Sequence, residues 1–433
     1  MPTTTSDTPV EPSVAEREPK GYVLRYGLSA YGVNLAILTP VMGGLAIKLQ
    51  NLNAGDLGAA TAQLSLVTGI GALFALFTQP LVGRFSDRTT SRWGMRRPWL
   101  IAGVLGAAAS LVLIGLASSL AVVLVGWCLS QTFSNVAQAA QNATLPDQVP
   151  VHRRGLVSGI YGAAMPLAIL TGAVGLAQLD TDLLRFAGPA TIGLACGLWF
   201  AATLKDRRLL EKPEGRVNLV EVLRTFVFNP RRYPDLGWAW FTKFLVMFGY
   251  ASTGTFMLLF LAARFEMTDV ADQAQFNMYA TFVAVTFMVL SSVVGGRWSD
   301  RTGVRKPFVA AGGLILAAGI LVIALSPVAG VQAGLVVILV GQALVGTGAG
   351  MFLAVDLALC TEVLPNPEDT AKDLGVLNVA NALPQSLAPM AAGPIILAVN
   401  SFGGEAGYSV WFAVGAVAAA CGGALIYKIK GVR

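Results

Sequence analysis

"GRFSDRTTSRWGMRRP" occupies residues 83–98 and gathers Arg84, Arg88, Arg92, Arg96 and Arg97 around one acid, Asp87. No charged residue occurs in 66–82 before it or in 99–131 after it. A near copy, "GRWSDRTGVRKP", stands at 296–307. Gly83, Arg84, Ser86, Asp87, Arg88 and Thr89 match Gly296, Arg297, Ser299, Asp300, Arg301 and Thr302. After a short insertion, Gly94, Arg96, Arg97 and Pro98 match Gly303, Arg305, Lys306 and Pro307. A cationic turn between uncharged stretches, made twice, describes a chain that crosses a bilayer repeatedly and consists of two related halves.

The composition agrees. The 433 residues are 55% hydrophobic and only 12% charged, with a mean hydropathy of +0.65. A soluble domain cannot hide that much apolar surface. Apolar segments of about the 20 residues needed to cross ~30 Å of hydrocarbon recur along the chain. Their cores lie at 26–48, 62–83, 98–119, 120–144, 155–179, 184–204, 235–262, 275–295, 306–327, 332–360, 374–399 and 407–427. They are expected to be helices, because a chain that is not a closed barrel must satisfy its backbone hydrogen bonds within each span. The fold expected is an all-α membrane protein, twelve transmembrane helices in two pseudo-symmetric six-helix bundles. Gly155 with Gly159, and Gly346 with Gly350, have the spacing that lets helices approach closely.

Alternate loops hold nearly all the basic residues, while the intervening ones hold only Lys48, Arg185 and Arg264. This asymmetry predicts that both termini and the central loop face the cytoplasm. The expected organisation is a disordered tail (1–20), a first bundle (21–204), a linker (205–233), a second bundle (234–428) and a short tail (429–433). Leu219, Val222, Leu223 and Phe226 give the linker an amphipathic stretch suited to the membrane surface. The positive charge follows topology, so nucleic acid is not an expected partner. The four cysteines, Cys128, Cys196, Cys360 and Cys421, fall in apolar spans without metal-ligand neighbours, and the single histidine, His152, sits in a loop. No nucleophile–base pair, phosphate loop or metal cluster is present, so neither an enzyme nor a cofactor is expected.

The repeated loop, with six spans on each side of the linker, resembles the major facilitator superfamily. "SDRTTSRWGMRRP" and "LAILTP" (35–40) are most similar to its sucrose–proton branch, among the glycoside–pentoside–hexuronide symporters. The resemblance implies alternating access, with two bundles rocking about a central site in the plasma membrane and a monomer sufficient for function. It also implies a conformational latch at Gly83, Asp87, Arg88 and Arg97 and at Gly296, Asp300, Arg301 and Lys306. Asp87 would meet the start of the eleventh span near residues 373–375, and Asp300 the fifth span near Gly155, only while the inner side is closed.

Polar groups inside a span are costly and are functional candidates. Gln131, Asn135, Gln138 and Asn142 lie on one face of the fourth span, and Asn378, Asn381 and Gln385 on one face of the eleventh. Tyr31 and Asn34 of the first span and Tyr250 of the seventh complete the expected binding set. Amides and aromatic rings suit a polyhydroxylated neutral solute. Two intramembrane charges remain. Lys243 lies eight residues past Asp235 and Asp356 nine before Pro365, which puts both roughly 12–14 Å deep. They are expected to pair and to couple transport to a proton or Na+ gradient. Plant-type sucrose symporters carry an aspartate shortly after a tryptophan in the fourth span. Here Trp127 is followed by Ser130 and Gln131, so either coupling has moved to the second half or the protein is not an ordinary proton–sucrose symporter. Drug or metabolite export by the same superfamily is the alternative, weakened because the fifth span lacks the exporters' GP-x-x-GG element.

Overall fold

The computed structural model describes residues 18–209, 231–362 and 370–431. The amphipathic stretch of the linker lies outside them. Among the described residues, eleven helices are long and apolar enough to cross a membrane, and a bent pair makes a twelfth. Spans one to six are Tyr22–Leu52, Leu57–Ser86, Arg97–Leu116, Leu120–Gln148, Val151–Gln178 and Asp182–Thr203. Span seven is the bent pair, Pro234–Gly254 with Met257–Arg264, turned by 52°. Spans eight to twelve are Val270–Thr302, Lys306–Ala329, Val331–Cys360, Val376–Asn400 and Gly407–Lys428. The chain is a multi-pass membrane protein.

Local chemistry sets the ends. Asp56, Thr181 and Asp269 accept hydrogen bonds from Ala59, Leu184 and Ala271, capping spans two, six and eight at one end of the molecule. At the other end Pro98 and Pro307 open spans three and nine, where a missing N–H costs nothing. The repeated glycines just before them, Gly94 and Gly303, have φ of 107° and 66°, a left-handed turn that disfavours any residue with a Cβ. We call the end with these arginine-rich loops the inner end and the opposite one the outer end.

Span three packs on spans four and six, and one on five and six; span twelve packs on seven and nine, and ten on eight and nine. The halves meet where span two packs on eleven and five on eight. Close approach depends on glycine at some of these seams. A Cβ at Gly346 or Gly350 would collide with the carbonyls of Ala284 or Met288 on span eight. Gly155 and Gly159 behave differently: a Cβ there, or at Gly162, meets nothing within 4 Å. The glycine face at the inner end of span five thus stands clear instead of packing as its spacing predicts, while Val157 and Tyr161 on its other side pack into the first bundle.

The outer end is shut. Gln50 and Gln273 exchange amide hydrogen bonds of 3.1 and 3.3 Å across the halves, both side chains buried. Ser65 Oγ donates to the carbonyl of Pro389 at 2.6 Å and accepts from Gly393 N, and the Thr61 and Tyr408 hydroxyls lie 2.5 Å apart. The short outer piece of span seven, with Leu258, Leu259, Phe260 and Leu261 each 0% exposed, plugs this end.

Candidate functional site

Between the halves, beneath the shut outer end, lies a cavity of about 160 Å³. The break in span seven places Thr253 and Thr255 on its wall beside Tyr250. Span eight contributes Asn277 and Thr281, span ten Gln342 and span eleven Gln385. The first half answers with Leu38, Val41, Met42, Met165 and Ile169, so one wall is polar and the other aliphatic. Among the described residues, no lining side chain is acidic or basic. Span one helps through a π-helical turn, Pro40–Gly44, that begins at the proline closing "LAILTP"; the Met42 carbonyl within it accepts a 3.4 Å hydrogen bond from Asn277 Nδ2.

The two intramembrane charges meet as their depth predicted. Lys243 Nζ is 2.7 Å from Asp356 Oδ2, with side chains 13% and 8% exposed. Cys360 Sγ lies 3.7 Å from the other carboxylate oxygen. Lys243 and Tyr250 are two turns apart on one face of span seven, so the pair sits about 10 Å from the cavity toward the inner end. Trp240, Phe244 and Phe248 stack in succession along the same helix, with centroids 5.3 and 6.3 Å apart, and Trp240 Nε1 donates to the Val376 carbonyl. These contacts fix the helix that carries the lysine.

The amides separate into two groups. Tyr250 and Gln385 line the cavity, but the other candidates do not. Gln131 and Asn135 are buried, and Asn135 Nδ2 bonds the Gln131 carbonyl of its own helix. Gln138 accepts a 2.7 Å bond from Gln79, Asn34 bonds the Ala30 carbonyl, and Tyr31 donates to Thr171. Asn378 is exposed and Asn381 half-buried nearer the inner end. The fourth span's polar face also includes Gln141, which bonds Ser29 and the Tyr26 carbonyl and joins span four to span one. Asn277, Thr281 and Gln342 escaped the sequence reading, which looked for rows of amides; the i, i+4 spacing of Asn277 and Thr281 on span eight is the signal that could have found them.

At the inner end the two motif carboxylates face their own loops. Asp87 lies 2.5 Å from Arg96 and is 58% exposed; Asp300 lies 2.7 Å from Arg305 and is 71% exposed. Arg96 also reaches Asp147. Asp300 holds Arg305 of its own loop, and a Cβ at Gly155 on span five would meet nothing within 4 Å; the side chains of residues 370–375, which Asp87 would meet, lie outside the described ones. The first loop has another role. Asp206 accepts the backbone N–H groups of Arg96 and Arg97, both at 2.7 Å, and a Cβ at Gly94 would collide with it. Arg97 bonds the Leu204 carbonyl. The start of the linker is therefore clamped to the first bundle. Burial pushes the Asp206 carboxyl up, against the lowering by those two N–H donors.

The profile described as Major Facilitator Superfamily matches residues 26–389, and again 267–431. The chain belongs to the Major Facilitator Superfamily. Among individual superfamily relatives, it is 34% identical over 128 residues to the sucrose transport protein SUC4 of Arabidopsis thaliana, a stretch covering 29% of this chain and 22% of that protein. It is 26% identical over 156 residues to the sucrose transport protein SUT1 of Oryza sativa, covering 30% of this chain and 29% of that one. The chain thus matches less than a third of these relatives' length. Solved structures share the fold over almost the whole chain. A D-xylose-proton symporter superposes with a TM-score of 0.66 at 15% identity, covering 95% and 99% of the two chains. The nucleoside transporter NupG gives 0.69 at 11% identity, covering 94% and 98%.

Proposed function

We propose that this protein is a secondary active transporter that carries a small neutral polar solute, a sugar or glycoside, across the plasma membrane by proton-coupled alternating access. The observation that carries the reading is the cavity, closed outside, whose wall offers Tyr250, Asn277, Thr281, Gln342 and Gln385 and no charged group. Neutral donors and acceptors match hydroxyl groups, while a formal charge would demand a buried counter-ion. The aliphatic wall supplies the flat apolar contact that a pyranose face uses. The relatives, sucrose transport proteins and a D-xylose-proton symporter, point the same way.

Coupling is assigned to the Lys243–Asp356 pair. Protonating the carboxylate removes one partner of a buried ion pair and so shifts the balance between packings of spans seven and ten. Asp87 and Asp300 act as latches in the opposite conformation, when the inner ends close over the open glycine row of span five. Both termini face the cytoplasm, the bundles divide at 205–233, and one chain is the working unit.

The test is counterflow and gradient-driven uptake in proteoliposomes, with sugars and amphiphilic drugs under imposed pH or Na+ gradients. Sugar accumulation driven by the pH gradient is expected. Export of a hydrophobic cation overturns the sugar reading, and dependence on Na+ alone overturns proton coupling. Asp356→Asn is expected to keep counterflow and lose accumulation. If it still concentrates the solute, Asp356 has no part in coupling.

A further inference from the structure

The inner end of span eight carries a groove of about 340 Å³ lined by Val294, Arg297, Trp298 and Arg301. It lies on the far side of the helix from the solute cavity. The cavity side of span eight is Asn277, Thr281, Ala284, Val285 and Met288. At about 100° per residue, Val294, Arg297, Trp298 and Arg301 project from the opposite face. Above the groove on that face Leu290 and Val293 are 58% and 45% exposed, and Val294 and Trp298 are 59% and 60% exposed. Such a row is at home only against acyl chains. At its inner margin stand two guanidinium groups.

Those cations are uncommitted. The acid between them, Asp300, is taken by Arg305, which also holds Glu362. Neither Arg297 nor Arg301 has an ion-pair partner among the described residues. Trp298 is braced edge-on against Phe308, with centroids 5.8 Å apart. The first half repeats the aromatic pair with the rings exchanged: Phe85 stacks on Trp99, and that indole N–H is spent on Thr89 Oγ1 at 2.8 Å. In the second half the indole is on the lipid-facing residue instead, and no protein hydrogen bond is described for it.

We infer that Arg297, Trp298 and Arg301 form a binding site for the headgroup of an anionic glycerophospholipid of the inner leaflet, with one acyl chain laid along Val294, Val293 and Leu290. The phosphate would take the two guanidinium groups, the indole N–H a glycerol or carbonyl oxygen, and the aliphatic row the tail. Surface anchoring by positive charge needs none of this shape. A soluble phosphate ester would use the arginines and leave the apolar row uncovered.

The inference is tested on the full chain, purified and delipidated. Phosphatidylglycerol and phosphatidylcholine are titrated separately, and bound lipid is counted by native mass spectrometry alongside the unfolding midpoint. Arg297→Gln/Arg301→Gln is expected to bind phosphatidylglycerol roughly thirty-fold more weakly, two cations near an anionic lipid being removed. Each single variant should lose part of that. Its midpoint in phosphatidylcholine should match the unaltered protein, which shows that the fold is intact. Lys428→Gln/Lys430→Gln removes equal charge elsewhere at the inner end and should leave the tight phosphatidylglycerol site in place. Equal losses in the two double variants, equal binding of phosphatidylcholine, or full competition by glycerol 3-phosphate would each overturn it.

Discussion

Two polar pairs, one in each half, are built on corresponding residues but recruit partners from different spans and differ in kind. Gln138 and Asp356 stand 218 residues apart, the offset that also separates Pro166 from Pro384. In the first half Gln138 meets Gln79 at 2.7 Å, amide to amide. In the second Asp356 meets Lys243 at the same distance, ion to ion. An amide pair is indifferent to pH and to membrane voltage, whereas the ion pair responds to both. Duplication supplied the frame twice, and at this position an ion pair was placed in one copy only. The cavity repeats this imbalance, with hydrogen-bonding groups on the second half and alkyl groups on the first.

The comparison breaks most easily at the ion pair. Asp356→Ala strands a buried lysine and is expected to cost on the order of 3–5 kcal/mol, with most of it recovered in Lys243→Gln/Asp356→Asn. Thermal unfolding of the singles and the double reads the cycle; strict additivity would mean that the charges do not support each other. Next in size is the outer seam. Gln50→Ala removes two hydrogen bonds between halves, each worth about 1 kcal/mol, and should raise the outward-open population roughly thirty-fold. Spin-label distances across the outer end check it.

Gln138→Ala should lower stability by about 1 kcal/mol while leaving the pH profile of transport unmoved, in contrast to Asp356→Asn, which should flatten it. A shifted profile in Gln138→Ala would erase the distinction between the pairs. The smallest effect is expected at the linker clamp. Asp206→Ala leaves two helix-end N–H groups unpaired, at a cost of about 1 kcal/mol, and Asp206→Asn should lose less because its carbonyl still accepts them. Burial raises the Asp206 carboxyl, so the folded state holds this proton more tightly than the unfolded one. Its contribution to stability therefore grows as pH falls through the folded pKa and is complete below the unfolded value. The amide in Asp206→Asn has no such proton, so the variant's unfolding midpoint should change less over that acidic range.

Much of this was legible in the residues. Hydropathy gave the spans because bilayer thickness fixes their length, and the Lys243–Asp356 contact followed from shared depth together with the side-by-side placement of spans seven and ten that the family resemblance implies, since two charges in one lipid layer need each other. The binding wall was less legible. Periodicity says that Gln131, Asn135 and Gln138 share a face of their helix but not which neighbour fills the space opposite. That depends on the register between spans distant in sequence, and packing gave Gln138 to Gln79. For the same reason Asn277 and Gln342 did not stand out as binding residues until spans eight and ten were laid side by side. Gly155 and Gly159 show the limit from another side: their spacing describes a close approach, and this conformation leaves it unmade.

Span seven is severed at Thr255 and Phe256, so its helical hydrogen-bond ladder is already interrupted where the outer plug begins. An α-helix that had to bend there on every cycle would break and remake backbone bonds in an apolar layer. Given this break, a few dihedral rotations would suffice to swing Met257–Arg264 as a rigid flap, carrying its greasy side chains along together. Straightening the joint, for instance by substitutions that extend the helix through Thr255, should slow the return stroke and leave solute affinity intact.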